Sequence, residues 1–315
     1  MATAFVFPGQ GSQVVGMGKV LAETFAPARA VFDEVDAALG QKLSQLMWDG
    51  PEGDLTLTEN AQPALMAVSM AVIRVLEAEH GITVGSAATF VAGHSLGEYS
   101  ALAAAGTFSL ADAARLLKTR GQAMQSATPV GVGAMAALLG LDFATASAVA
   151  AEAAQGDVCQ AANDNSDGQV VVSGHKAAVE RALDIAKAKG AKRAILLPVS
   201  APFHCALMQP AADVMADALA KVTMNAPVVP VVANVGAAPL SDPQAIRDSL
   251  VKQVTGTVRW RECMAYMAAN GVDRFYEIGA GKVLTGLAKK NAPEATASAI
   301  NTADDIAAAA AQIKG

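Results

Sequence analysis

The segment Gly93-His94-Ser95-Leu96-Gly97 constrains this chain more than any other. Before it lies Thr89-Phe90-Val91-Ala92, an apolar run rich in β-formers. After it comes Glu98-Tyr99-Ser100-Ala101-Leu102-Ala103-Ala104-Ala105, a helix-type run that Gly106 stops. Glycines on both sides of a serine let the backbone turn sharply from strand to helix without Cβ clashes. Such a turn pushes the Ser95 hydroxyl out of a sheet and offers the next backbone N–H, that of Leu96, to a developing oxyanion. A lone glycine-flanked serine reads equally well as a tight turn whose hydroxyl caps a helix. The strand before and the helix after favour a nucleophile, and they predict an α/β fold.

The chain has 315 residues, enough for one large domain or one domain with a smaller insert. Hydrophobic residues make up 53% and charged residues 17%, which allows a substantial core and argues against disorder. Aromatics are only 4%, so the core is expected to be built of closely packed, alanine-rich helices. A net charge of −6 without a dense basic run argues against nucleic-acid binding. Cys159, Cys205 and Cys263 have spacings that suit neither a zinc site nor a disulfide framework, so reduced thiols in a cytoplasmic protein are expected. Met1-Ala2-Thr3-Ala4 enters a strand with no positive region before it, and the alanine runs are too short or too interrupted for a membrane span.

Ala4–Phe7 reads as a strand running into Pro8-Gly9-Gln10-Gly11-Ser12-Gln13. Helical spacing follows over about 18–39, interrupted by Pro27, and again from Thr58 to Gly81. A further helix opens at Ser109-Leu110-Ala111-Asp112 and carries Arg120 and Met124. Texture changes near Thr128–Gly133. From there the pattern is strand 134–139, helix 142–154, strand 158–162, a turn at 163–168, strand 169–173, helix 176–189 and strand 193–199. That βαββαβ order is ferredoxin-like. The expected organisation is a hydrolase-like main domain with a parallel sheet over 1–127 and 199–315, and an inserted ferredoxin-like subdomain over 128–198. Val228–Ala233 and Arg274–Gly279 read as strands of the main domain, and 304–313 as a helix.

A serine needs a base to take its proton. Of the four histidines, His80 ends a helix and His175 sits in a turn. His94 adjoins Ser95, and neighbouring side chains diverge in such a turn, so packing or hydrogen bonding beneath the turn suits it better. His204, in Ala201-Pro202-Phe203-His204-Cys205, lies in a loop at the expected domain junction and stands modestly ahead as the base.

Taken together, the chain resembles the malonyl-coenzyme A:acyl carrier protein transacylases of fatty-acid synthesis over almost its full length. The resemblance rests on Phe7-Pro8-Gly9-Gln10-Gly11-Ser12-Gln13, Gly93-His94-Ser95-Leu96-Gly97-Glu98-Tyr99, Arg120-Gly121 and Asn163-Asp164-Asn165-Ser166-Asp167-Gly168. It continues through Pro202-Phe203-His204-Cys205-Ala206-Leu207-Met208, Gln253 and Gly279-Ala280-Gly281-Lys282. It implies Ser95 as nucleophile and His204 as base, with the backbone N–H groups of Gln10 and Leu96 as oxyanion hole. It further implies that Arg120 holds the malonate carboxylate, that Phe203, Met124 and His94 complete the substrate site, and that the Gln253 carbonyl orients His204. No metal or cofactor is implied. The partners would be malonyl-CoA and an acyl carrier protein, with neither nucleic acid nor membrane.

Two departures from the family pattern stand out. Ala280 replaces a proline, which loosens a turn without removing a catalytic group. Phe203 precedes the histidine where many relatives have serine, and its ring narrows the space for an α-methyl group. A serine hydrolase would share Ser95 and His204 but would have no use for a cationic Arg120 in an apolar acyl pocket. A non-enzymatic carrier-binding subunit would not need all three residues. Lys187, Lys189, Lys192 and Arg193, or Lys282, Lys289 and Lys290, either meet an acidic carrier or form solvated faces.

Overall fold

Residues 2–199 and 201–315 are described by a computed structural model. They form strands β1 (Ala2–Phe7), β2 (Phe90–Gly93), β3 (Gly133–Leu139), β4 (Cys159–Ser166) and β5 (Gln169–His175). The later strands are β6 (Arg193–Leu196), β7 (Val231–Ala233), β8 (Ala238–Leu240), β9 (Val272–Ile278) and β10 (Thr296–Ile300). Along β1 the side chains alternate between two cores. Phe5 and Phe7 join the larger apolar cluster, Ala4 and Val6 a second one on the opposite face. A strand buried on both faces suits a parallel sheet covered by helices on each side.

The main sheet has the order β10-β9-β1-β2-β7-β8, parallel throughout except for the antiparallel β7/β8 pair. The chain leaves β1 toward β2 on one side and later returns with β9 on the other. The carboxyl ends of β1 and β2 therefore border a crevice where loops are free to build a site. The Thr58–His80 helix is long and apolar enough to span a bilayer, but 83% of its most apolar window is buried as the main core helix. Pro27 lies in the first turn of the Ala26–Leu39 helix, where a missing N–H costs nothing, and the break with the preceding Lys19–Thr24 helix falls at Phe25.

The second sheet is antiparallel, with the order β4-β5-β3-β6. Ala136, Leu138, Val170 and Val172 pack under the Phe143–Ala154 and Lys176–Ala188 helices. Met135, Ala162 and Val171 point the other way, into the main core. The expected turn at 163–168 is corrected by the structure. β4 runs on to Ser166, and only Asp167-Gly168 turns, with Gly168 at φ 72°. Asn163 to Ser166 have turn-like composition, but partners in the main body hold them extended. Asp164 N–H donates to the Val258 carbonyl, and its carboxylate pairs with Arg261 at 2.8 Å. β6 ends at Leu196, three residues short of the expected strand. All three cysteines are free and buried.

Candidate active site

Gly93 closes β2 and Gly97 opens the Gly97–Ala104 helix, so the turn between them is as tight as the sequence suggests. A Cβ on Gly93 would lie 1.9 Å from the Gly97 carbonyl, and one on Gly97 would lie 2.3 Å from the Phe7 carbonyl. No side chain fits at either position. Ser95, at the apex, is held at φ 55°, a left-handed conformation that costs a non-glycine residue about 1–3 kcal/mol. Asn234, just past β7, clamps this strained turn. It accepts from Ser95 N–H at 2.8 Å and donates its amide to the Gly93 carbonyl at 2.8 Å.

His204 comes from a separate loop, also at positive φ (58°), and its ring is buried. Its Nε2 lies 2.8 Å from Ser95 Oγ, and its Nδ1 lies 2.8 Å from the Gln253 carbonyl oxygen. A carbonyl only accepts, so Nδ1 carries the proton and the bare Nε2 faces the serine. Burial, then the positive charge of Arg120, pushes the imidazole down to about 3. The ring is neutral at ordinary pH and ready to take a proton.

Arg120 is 1% exposed, on the Leu110–Ser126 helix. Its Nη1 donates to Gln62 Oε1 at 2.8 Å. Its Nη2 donates to Gln253 Oε1 at 2.9 Å and to Ser95 Oγ at 3.1 Å. The guanidinium also lies over the Tyr99 ring, 5.7 Å from its centroid. Among the described residues its buried Nε has no hydrogen-bond partner and no carboxylate forms an ion pair with it. A buried cation contacted only by neutral groups is under-compensated, so an anion entering beside Ser95 finds a receptor already in place. The nearest counter-charge acts at one remove. Gln253 Nε2 donates to Glu98 at 3.0 Å, while Gln253 Oε1 accepts from Arg120. Burial raises the Glu98 carboxyl to about 7, against the hydrogen bonds from Asn234 and Gln253.

A cleft of about 540 Å³ joins these groups. Gln10, His94, Ser95, Leu96, Arg120, Met124, Phe203 and His204 all line it, while Gln253 lies buried beneath. Gln10 follows β1 and Leu96 starts a helix, where the first N–H groups have no intrahelical partner. His94 turns away from the serine hydroxyl, with its Nε2 2.8 Å from Asn165 Oδ1 and its ring tilted against Trp260.

Residues 4–310 match the family described as "Acyl transferase domain". A malonyl CoA-acyl carrier protein transacylase of Escherichia coli (strain K12) is 52% identical over 97% of this chain and 98% of its own length. The Bacillus subtilis (strain 168) protein of that name is 47% identical over 91% and 89%. The solved acyl-carrier-protein S-malonyltransferase of Bartonella henselae superposes with a TM-score of 0.98 at 58% identity, covering 100% of both chains. This chain belongs to the malonyl CoA-acyl carrier protein transacylase family. Another member, solved in complex with a type II PKS acyl-carrier protein, superposes with a TM-score of 0.95 at 44% identity over 99% of this chain and 100% of that one.

In this family member, sequence reasoning missed Glu98, Asn234 and Gln62. Two of them carried a readable signal. Glu98 is an acid three residues after Ser95 on an otherwise uncharged helix, and Asn234 is a polar residue ending a buried apolar run. Gln62 had none, because its role depends on the Leu110–Ser126 helix packing beside it. Of the basic residues, Lys187 and Lys189 lie beside Asp184 and Glu152, so they form exposed pairs rather than an unopposed patch.

Proposed function

We propose that this transacylase carries malonyl from malonyl-CoA to the phosphopantetheine thiol of an acyl carrier protein through a malonyl-Ser95 intermediate, supplying extender units for fatty-acid synthesis. His204 Nε2 takes the Ser95 proton as Oγ attacks the thioester carbonyl. The backbone N–H groups of Gln10 and Leu96 receive the oxyanion, and Arg120 grips the far carboxylate through parallel hydrogen bonds. Collapse expels the coenzyme A sulfur, which leaves with the proton from His204. The carrier thiol then gives its proton to His204 and attacks the acyl carbon, and Ser95 Oγ departs with that proton. Phe203, Met124 and His94 shape the acyl site, and the Gln253 carbonyl keeps His204 in the required tautomer. Proton transfer and electrostatic stabilisation suffice for both halves, so no metal or cofactor is called for.

The observation that carries this reading is Arg120: buried, without an ion pair among the described residues, and 3.1 Å from the nucleophile. A hydrolase of neutral acyl chains gains nothing from that cation. The order β3, helix, β4, β5, helix, β6 and the sheet order β4-β5-β3-β6 support a ferredoxin-like subdomain over 128–198. The tight turn after β2 of a parallel sheet supports a hydrolase-like domain over 1–127 and 199–315. Cytoplasmic residence fits the three free thiols. Incubation with malonyl-CoA and a phosphopantetheinylated carrier protein is the test. Malonyl-carrier should accumulate with little free malonate, whereas rapid release of malonate in the carrier's presence would favour a hydrolase.

A further inference from the structure

We propose that Thr58 is a positioning residue for the oxyanion hole, its hydroxyl holding Gln10 in register with Arg120. This inference rests on the reading that the Gln10 N–H is one of the two oxyanion donors. Thr58 opens the Thr58–His80 helix and is 1% exposed. Its Oγ1 accepts from Gln62 Nε2 at 2.9 Å and donates to Gln10 Oε1 at 2.8 Å, while Gln62 Oε1 accepts from Arg120 Nη1 at 2.8 Å.

Chemistry dictates the first two links, and in the third the Gln10 amide turns its oxygen to Thr58. A guanidinium only donates, so Gln62 must turn its carbonyl to Arg120 and its amide to Thr58. The Thr58 hydroxyl accepts that N–H and has its own proton left for Gln10. The chain Arg120–Gln62–Thr58–Gln10 thus runs one way, from the cation outward, and each link polarises the next.

The anchor matters because Gln10 itself is exposed, in the turn after β1. Burial does not fix the orientation of its peptide, whereas the bond to Thr58 ties its side chain to the buried framework. The inner end of the chain is rigid. A Cβ on Gly121, next to Arg120, would lie 2.4 Å from Glu59 Cα and 2.7 Å from the Thr58 carbonyl, so the two helices touch backbone to backbone. An acyl group whose carboxylate sits on Arg120 and whose carbonyl sits in the oxyanion hole requires a fixed spacing between them. A misplacement on the order of 1 Å costs about 10²-fold in rate.

Single-turnover acylation of Ser95 by malonyl-CoA tests the inference, with melting temperature followed alongside. Thr58→Val keeps the β-branched shape and deletes the hydroxyl, so the acylation rate constant should fall about 10- to 100-fold with half-saturation changed less than about threefold. Thr58→Ser restores the hydroxyl and should recover to within about threefold of wild type. Gln10→Ala keeps the backbone N–H but loses the anchor, so it should reproduce the Thr58→Val loss. Adding Thr58→Val to Gln10→Ala should then slow acylation no further. Gln10→Ala remains informative if Thr58→Val does not fold. Wild-type rates in Thr58→Val or Gln10→Ala, failure of Thr58→Ser to rescue, or additive losses in the double variant would overturn the positioning role. Wild-type protein that forms no malonyl-Ser95 overturns the functional reading underneath and this inference with it, a result distinct from a fully active Thr58→Val.

Discussion

Replacing Arg120 with alanine should reverse the acyl preference of the protein. The side chain is buried, with two of its nitrogens held by Gln62 and Gln253 and by the nucleophile itself. In such a site a carboxylate–guanidinium pair is worth about 2–5 kcal/mol. At about 1.4 kcal/mol per decade, kcat/KM for malonyl-CoA should fall roughly 30- to 4,000-fold. Acetyl-CoA has no carboxylate to lose, and with wild-type protein it leaves the buried cation under-compensated, so acetyl transfer should hold or improve. The substitution strips Gln62 Oε1 and Gln253 Oε1 of a donor, about 1–3 kcal/mol each, while also removing a buried charge, so folding is monitored by thermal melting. Arg120→Lys should rescue malonyl transfer poorly, because an ammonium cannot make two parallel hydrogen bonds. The assay is kcat/KM for both thioesters in wild type and variants. Equal losses on the two substrates would refute the reasoning and leave Arg120 a structural residue.

His204→Ala should lower the acylation rate about 10²- to 10⁴-fold, whereas His94→Ala should have a smaller effect because its ring turns to Asn165; the reverse order of losses would reassign the base. Gly97→Ala should abolish activity and lower the melting temperature sharply, since its Cβ would press on the Phe7 carbonyl; a wild-type melting curve would contradict the geometry. Burial raises Glu98 from its ordinary 4.5 to about 7. Folding therefore favours its protonated form, a stabilisation present below the unfolded value and lost as pH rises through 7. Glu98→Gln should erase that slope, worth at most about 3 kcal/mol between pH 5 and 8 by denaturant unfolding; an unchanged slope would assign it to another group.

The parts of the site that were legible in sequence are those where backbone geometry demands a residue type. Gly93 and Gly97 admit no side chain, so the turn that presents Ser95 could be read directly. His204 was narrowed down from four histidines by its loop, but Gln10 and Gln253 needed the family resemblance. Their proposed contributions come from main-chain groups, which any residue type supplies. Gln62 stayed hidden because it meets Arg120 across a helix–helix contact, and Thr58 because its hydroxyl meets Gln10 in the turn after β1, partners that no local pattern encodes. The Asn163–Ser166 stretch misled for a related reason. Its polar composition signals a turn, yet Asp164 pairs with Arg261 and the Asn165 carboxamide meets His94, so those polar side chains serve as anchors between the two sheets' surroundings.

Covalent catalysis through Ser95 is the central claim, and intact-mass spectrometry after brief incubation with malonyl-CoA tests it most directly. The account predicts a single malonyl adduct, mapped to the peptide containing Ser95, absent from Ser95→Ala and discharged on addition of phosphopantetheinylated carrier protein. An adduct that persists in Ser95→Ala, or that maps to another residue, would contradict it.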